Sequence, residues 1–476
     1  MQEAVTFNNL YVNLGNAIIK VYQMQITEAA NQHGEACIIS VMDKSFGQQV
    51  IDHNPVTMLI YYVDQEGEEE KESVHSLFAG IISNIQVDVQ GDQYYMTVTA
   101  KASTSLMDAM PLKCSYQDSQ LLNTRLFGEI MERSKYGLAN VTVPEQPINQ
   151  FLIQYEETDW TFLKRAASCF HVRIFPDNRD TVVLLHIGLP QETVDVQWDE
   201  LPYQVYQDLE SYHYLQKNHG DQLHNWSCTR YIINTYDILR LGTKVKFRGK
   251  EQYIGKVTRI IYDGLVMNQY TLYDPEGLWM PRLYNFKITG TSVMGIVKSI
   301  KRDKIQVDLA IDQGYRHKNY RWFSYSTMAS FGKGKGWYAM PLKGEQVRIF
   351  FPDHLEEKGY AVTCMNDSVK TNIIQEDWDL QSIQGPGGEE ITFLSNGVVM
   401  RGKGTEVLLT TDGKISFQNA SNITMNAGKE VTIGAGEKLS VKANSEIRFA
   451  TPEGWASITK GAIGFVGGQV HLNDPE

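Results

Sequence analysis

The stretch Ile415-Ser-Phe-Gln-Asn-Ala-Ser-Asn, Ile423-Thr-Met-Asn-Ala-Gly-Lys-Glu, Val431-Thr-Ile-Gly-Ala-Gly-Glu-Lys, Leu439-Ser-Val-Lys-Ala-Asn-Ser-Glu, Ile447-Arg-Phe449 repeats every eight residues. The same phase extends outward through Ile391, Val399 and Val407 on one side and Trp455 and Ile463 on the other, ten octads in all. A second apolar residue follows two positions later at Phe393, Leu409, Phe417, Met425, Ile433, Val441, Phe449 and Phe465, with Arg401 and Ser457 as exceptions. Five positions after the first apolar residue stand mostly turn-forming or small residues: Asn396, Gly404, Asp412, Ala420, Gly428, Gly436, Asn444 and Gly468. A fixed period means a repeat architecture. Residues two apart share one face of a strand, so each octad predicts a short strand with an apolar face and a tight turn.

One octad cannot bury that face alone. Three octads could form one turn of a monomeric β-helix, or three chains could each give one octad per layer around a common axis. Ten octads would give a monomeric helix only about three turns between two exposed ends, and an intertwined trimer about ten layers without a free lateral edge. The trimer is therefore expected. Its shaft core would be Ile415, Phe417, Ile423, Met425, Val431, Ile433, Leu439, Val441, Ile447 and Phe449. Each large inward side chain contributes roughly 1.5–3 kcal/mol on burial, so the shaft should be very stable. The register slips after Phe465, because Val470 and Leu472 are apolar one residue out of phase, as an end-cap would be.

Upstream, Gly385-Pro-Gly-Gly388 punctuates the chain. Before it, Met294-Gly-Ile-Val-Lys-Ser-Ile300, Lys304-Ile-Gln-Val-Asp-Leu-Ala310 and Gln346-Val-Arg-Ile-Phe-Phe351 read as strands of a small barrel such as an OB-fold. Residues 196–285 also read as β, with strands at Thr243–Phe247, Gln252–Ile261 and Asn268–Leu272. The period changes between 109 and 195. A helix capped by Asp118 or Ser119 carries the stripe Leu122, Leu126, Phe127, Ile130 and Met131. A second starts after Thr158 with Asp159 at its positive end and the stripe Trp160, Leu163, Ala167 and Phe170. Strands at Ala17–Tyr22, Ala36–Met42, Met58–Val63 and Tyr94–Ala100 fill the first 108 residues, with the acidic run Asp64–Glu72 as a solvated hairpin loop.

The 476 residues are 42% hydrophobic and 21% charged, with 38 Gly and 14 Pro, which fits a turn-rich globular chain and excludes disorder or collagen. Lys and Arg number 44 against 56 Asp and Glu, and the net charge of −12 disfavours a general binder of nucleic acid or anionic membranes. No apolar run reaches the roughly 18–20 residues of a membrane span. Met1–Asn8 lacks the basic and apolar regions of a signal peptide. The five cysteines (37, 114, 169, 228, 364) are dispersed without C-x-x-C, as expected for reduced thiols in a protein made in the cytoplasm.

Taken in chain order, these segments resemble VgrG-type spike proteins of contractile injection systems, in which a phage tail hub is fused to a tail spike. Gln154-Tyr-Glu-Glu-Thr-Asp-Trp-Thr-Phe-Leu-Lys-Arg165 resembles the hub signature, and Gly295-Ile-Val-Lys-Ser with Trp337-Tyr-Ala-Met-Pro-Leu-Lys-Gly-Glu-Gln-Val-Arg-Ile-Phe-Phe351 resembles the barrel. The octads resemble the triple-stranded β-helix of the spike. The resemblance implies a mainly β homotrimer whose domains divide as follows. A hub β domain (1–108) and a helix-containing hub insert (109–195) precede a second hub β domain (196–288). An OB-fold barrel (289–370), a linker (371–388) and the β-helix spike (389–476) complete the chain.

It also implies a structural hub and membrane-puncturing spike without enzymatic activity. Two β domains per chain give six per trimer, adapting a threefold spike to a sixfold tail tube. Tail tube and baseplate proteins, a PAAR-like tip protein docked at Val470, His471, Leu472 and Asn473, and transiently the target envelope are the implied partners. Nucleic acid is not among them. Assembly is expected in the cytoplasm, followed by incorporation into a phage tail-like particle, whether phage, type VI secretion system, tailocin or extracellular injection machine. The 18 residues 371–388 leave no room for an inserted lysozyme-type domain, and only a few residues follow Leu472, so no effector extension is expected.

The chain's motifs agree with that reading. H-E-x-x-H, P-loop and G-x-S-x-G motifs are missing from the sequence, and no catalytic, cofactor-binding or metal residue is assigned. Gly332-Lys-Gly-Lys-Gly336 lacks Walker spacing and reads as a solvated loop. Glu156, Glu157 and Asp159 at the helix start read as dipole partners and inter-chain ion-pair donors rather than paired hydrolytic carboxylates, with Arg165 as a structural ion-pair partner. His213, His219 and His224 share no predicted face. A trimer would gather three copies of His471, but alternation turns it outward, away from the face of Val470 and Leu472. The alternative reading, a trimeric phage tailspike adhesin or polysaccharide depolymerase, would need inward paired acids that the octads lack.

Overall fold

The computed structural model describes residues 5–15, 17–66, 71–133, 137–219, 223–312, 317–327, 330–331, 335–336, 339–362, 381–385 and 387–469. The chain divides into two compact units, Met1–Met365 and Asn366–Glu476, and both are mainly β. No helix among the described residues is long and apolar enough to cross a membrane.

In the first unit the two β-rich regions share one thirteen-stranded sheet. The seam is an antiparallel pairing of Gln23–Ala29 with Lys250–Tyr262, running from Lys256 opposite Ala29 to Ile260 opposite Gln25. Strand alternation decides what lies inside. Gln93–Ala102 alternates buried and less buried residues along its length, sending Met96, Val98 and Ala100 into a core with Ile26, Ile38 and Phe78. A second core gathers Trp198, Phe247, Ile254, Val257 and Tyr270. The expected loop at Asp64–Glu72 is shorter than the acidity suggested: the ladder continues to Glu66 opposite Lys71, and residues 67–70 lie outside the described ones. At the two ends of the sheet lie Ala17–Ile19 and Tyr203–Gln207.

Four helices are described. Helix α1 (Lys44–Asp52) was not anticipated; Asp43 caps it by accepting from the Phe46 N–H at 2.9 Å. Helix α2 (Asn123–Glu132) buries Leu126, Phe127, Ile130 and Met131 as expected, but it starts after Leu122 without the Asp118 or Ser119 cap. Helix α3 (Asp159–Ser168) begins where the sequence placed it, with Thr158 accepting from the Thr161 N–H. Helix α4 (Leu209–His219) interrupts a region expected to be all β. Its polar run with Tyr212, Tyr214 and Leu215 has too weak an apolar stripe to read as a helix beforehand.

Downstream lies a closed five-stranded barrel. Its strands run in the order Trp322–Ser324, Lys304–Leu309, Thr291–Lys301, Gln346–Phe351, Tyr360–Val362, and a parallel bridge from Tyr325 to Ala361 joins the ends. Val293, Val297, Val307, Phe323, Ile349 and Phe351 fill it, together with Phe151 and Ile153 from the helical region.

The second unit differs from the regular octad stack read from sequence. Gln381–Gln384, Glu390–Leu394, Gly397–Gly402, Thr405–Thr410 and Ile415–Asn419 form an antiparallel meander, and Glu446–Thr451, Gly454–Thr459 and Ile463–Val466 form another. The eight-residue period survives as the hairpin repeat, with Gly404 in its turn at φ +76°, a conformation that suits glycine. Residues 420–445 form no strand within the chain. Most of the linker (371–380 and Pro386) and residues 332–334 of the glycine–lysine loop lie outside the described residues.

Candidate functional site: a braced joint and an open apolar face

In the first unit, Leu152–Glu157 pairs with Leu112–Tyr116, and its register shifts between Tyr155 and Glu157. Glu156 sits in that bulge with φ +52°, so Glu157 turns inward where regular alternation would have sent Glu156. Glu157 then meets Arg165, which projects from α3. The guanidinium donates from Nε at 3.0 Å and Nη2 at 2.7 Å to the two Glu157 oxygens, from Nη1 to Glu356 at 2.8 Å, and from Nη2 to the Ile153 carbonyl at 2.8 Å. All three charged side chains are buried. Burial opposes the Arg165 charge, but Glu356 and Glu157 outweigh it and hold the guanidinium above its ordinary value. One cation cannot neutralise two acids. Glu356, with the single-bonded share, is pushed up by burial despite Arg165.

The remaining predicted acids are also paired within the chain. Asp159 accepts from Gln154 Nε2 at 3.1 Å and lies 3.3 Å from Arg133, and Glu156 lies 3.0 Å from Lys113. Within the chain these pairs tie Asp159 to the end of α2 and Glu156 to the Leu112–Tyr116 strand. Sequence reading missed Glu356, about 200 positions from Arg165, and no local pattern marks it.

A second tie holds the same joint. Asp312 accepts from the Ser115 N–H at 2.6 Å, from the Ser115 hydroxyl at 2.8 Å, and lies 2.8 Å from His317 Nε2. Serine, histidine and aspartate here do not make a nucleophile. Ser115 and Asp312 both meet Nε2, whereas activation needs them on opposite ring nitrogens. Burial pushes the nearby Cys114 thiol up to about 11, leaving it protonated at neutral pH. Among the described residues no three metal-ligating side chains gather in metal-binding geometry. His213 lies against Tyr212 and His224 stacks on Trp226; the His219 side chain is outside the described residues.

The second unit has an open apolar face. Of the expected shaft core, Phe417 is 65% exposed, Met425 69% and Ile433 63% in the single chain. Ile415, Ile423, Val431, Leu439, Val441 and Phe449 are exposed as well, and Ile447 is partly so. Residues 421–445 make no backbone-to-backbone hydrogen bond with any described residue. Val470, His471, Leu472 and Asn473, the expected tip contact, lie outside the described residues.

No family model and no curated protein matches the sequence. Solved structures do. One neighbour is the Escherichia coli c3393 protein, a component of the type VI secretion system described as similar to the T4 bacteriophage tail proteins gp27 and gp5. It aligns with a TM-score of 0.50 at 14% identity, over 74% of this chain and 98% of that one. Another is a chain of the lidded Francisella PdpA–VgrG complex, at a TM-score of 0.52 and 9% identity, over 86% of this chain and 80% of that one. The fold is thus that of VgrG-like and gp27/gp5-like proteins.

Proposed function

We propose that three copies of this chain form a non-enzymatic hub and spike at the tip of a contractile injection machine, and that the spike punctures the target envelope. The open octad face carries the reading. A run of 25 residues (421–445) without internal backbone pairing, bearing alternate apolar side chains, is complete only when neighbouring strands supply hydrogen bonds and cover. Identical octads from two further copies offer both. The likeness to a type VI component and to VgrG supports the same class.

Within this reading the five-stranded barrel is an OB-fold that passes force from hub to shaft, and the thirteen-stranded sheet supplies two of six tube-like domains. The exposed Tyr203–Gln207 end strand, with Val205 and Tyr206 outward, suits sheet continuation into a neighbouring copy. Tail tube and baseplate proteins and a PAAR-like tip are the partners, in a tail-like particle. Negative-stain microscopy of the purified chain tests the reading. A threefold head bearing a thin shaft is expected; compact single chains, or release of reducing ends from oligosaccharides, would overturn it.

A further inference from the structure

The strandless run 421–445, with Glu446 after it, carries six charged side chains, all exposed in the single chain. Five of them occupy the last two positions of an octad: Lys429 and Glu430, Glu437 and Lys438, and Glu446. Lys442 is the exception. Wherever two of the five stand eight residues apart, at Lys429 and Glu437, Glu430 and Lys438, or Lys438 and Glu446, their signs are opposite. Sixteen residues apart, Glu430 and Glu446 are alike. The ion pairs described in this unit join Arg401, Glu390, Glu406, Lys414 and Asp412, and leave these five out.

Apolar packing does not account for the pattern. The inward pairs Ile423 and Met425, Val431 and Ile433, and Leu439 and Val441 are alike in chemistry and similar in size. Such side chains replace one another at little cost, so packing alone barely separates one layer from the next. A shaft held by them alone would let one chain slip by a whole octad, because register is weakly specified in repetitive strands.

The proposed trimer supplies the geometry, and the inference rests on that reading. Three chains giving one octad each to a layer occupy its three sides. At each turn a chain passes to the next side and the next layer. An octad therefore lies against the following octad of a neighbouring copy, not of its own chain. With the copies level, Lys429 meets Glu437, Glu430 meets Lys438, and Lys438 meets Glu446. If one copy slips by an octad, equal octads meet on one of its flanks, Glu430 on Glu430 and Lys438 on Lys438. On its other flank Glu430 meets Glu446. Like charges directly opposite on neighbouring strands are destabilising. Exposed ion pairs contribute little each, but register is a difference between attraction and repulsion, repeated on three sides.

We infer that Lys429, Glu430, Glu437, Lys438 and Glu446 form a charge code that fixes the register of the shaft, each octad accepting the next octad of a second copy. Disulfide mapping of the full-length protein, with its mass followed by light scattering, tests this. Thr424 and Thr432 share one outward octad position. Neighbouring strands lie about 4.7–4.9 Å apart, within the roughly 4.4–6.8 Å that a disulfide spans. Mild oxidation of Thr424→Cys/Thr432→Cys is expected to give a covalent trimer on non-reducing electrophoresis. Either single variant should cross-link no more than the unsubstituted chain. Adding Lys429→Gln, Glu430→Gln, Glu437→Gln, Lys438→Gln and Glu446→Gln to Thr432→Cys should keep the threefold mass and raise covalent dimer about tenfold, as equal octads meet. Should that variant fail to assemble, Thr432→Cys refolded and oxidised at about 1 M salt, where the charges are screened, takes its place. Dimers from Thr432→Cys with its charges intact, no covalent trimer from the double variant, or no rise in dimer once the charges are removed or screened would overturn the code. In each case a threefold mass leaves the spike reading standing, whereas a single-chain mass of the unsubstituted protein overturns both.

Discussion

The braced joint of the Met1–Met365 unit meets its demands within the chain, whereas the octad face of the Asn366–Glu476 unit leaves its demands open. Arg165, the residue hardest to bury, meets two carboxylates and a carbonyl from its own chain, and Phe151 closes a barrel begun more than a hundred residues later. Phe417, Met425 and Ile433, the easiest kind of residue to bury, stand in the open. The difference is one of contact range. A mixed sheet with helices can fold back on itself, but a row of eight-residue strands has nothing behind it within one chain. On the proposed reading, such a segment encodes its partner by repetition.

Breaking that contrast should have its largest effect in the second unit. Ile433→Asp places a charge at each of three facing positions in a trimer. It is expected to abolish association, seen as a fall in sedimentation coefficient, while near-ultraviolet circular dichroism of the first unit persists. In the first unit, Arg165→Ala strands two buried acids and should cost about 3–5 kcal/mol in denaturant unfolding. Phe151→Ala empties the barrel and should cost about 3–5 kcal/mol in the same assay, with the loss centred on the barrel by hydrogen exchange.

Glu356 sharpens the comparison through pH. Its folded-state pKa lies above the ordinary 4.5, so it binds its proton more tightly when folded. Its stabilising share is therefore present below pH 4.5 and is lost as pH rises through the raised value. Glu356→Gln should remove that loss, and stability curves of the two proteins should converge or cross on raising the pH. The smallest effect is expected for Gly404→Ala, where a left-handed turn residue gains a Cβ: about 1–2 kcal/mol, read as a lower thermal midpoint of the second unit alone.

Much of this was legible beforehand. The octad's turn positions Asn396, Gly404 and Asp412 fall in turns of the second unit, Thr158 and Asp159 marked the start of α3, and the stripe through Leu126 and Ile130 marked α2. Such features are local, set by spacing along one strand or helix. Glu356 and the Asp312–Ser115 tie were not legible, because their partners are about 200 positions away and no periodicity connects them. The bulge at Glu156 also escaped, since one residue of register decides which of two adjacent glutamates turns inward. Helix α4 escaped because its sequence is nearly uniform in polarity around the helix.

The most direct test of the account is the solution mass of the full-length protein by multi-angle light scattering. Three times the mass of the chain, stable on dilution, is the predicted result. A single-chain mass at concentrations where the protein is folded would mean that the octad rows are satisfied without partners, and would contradict the account.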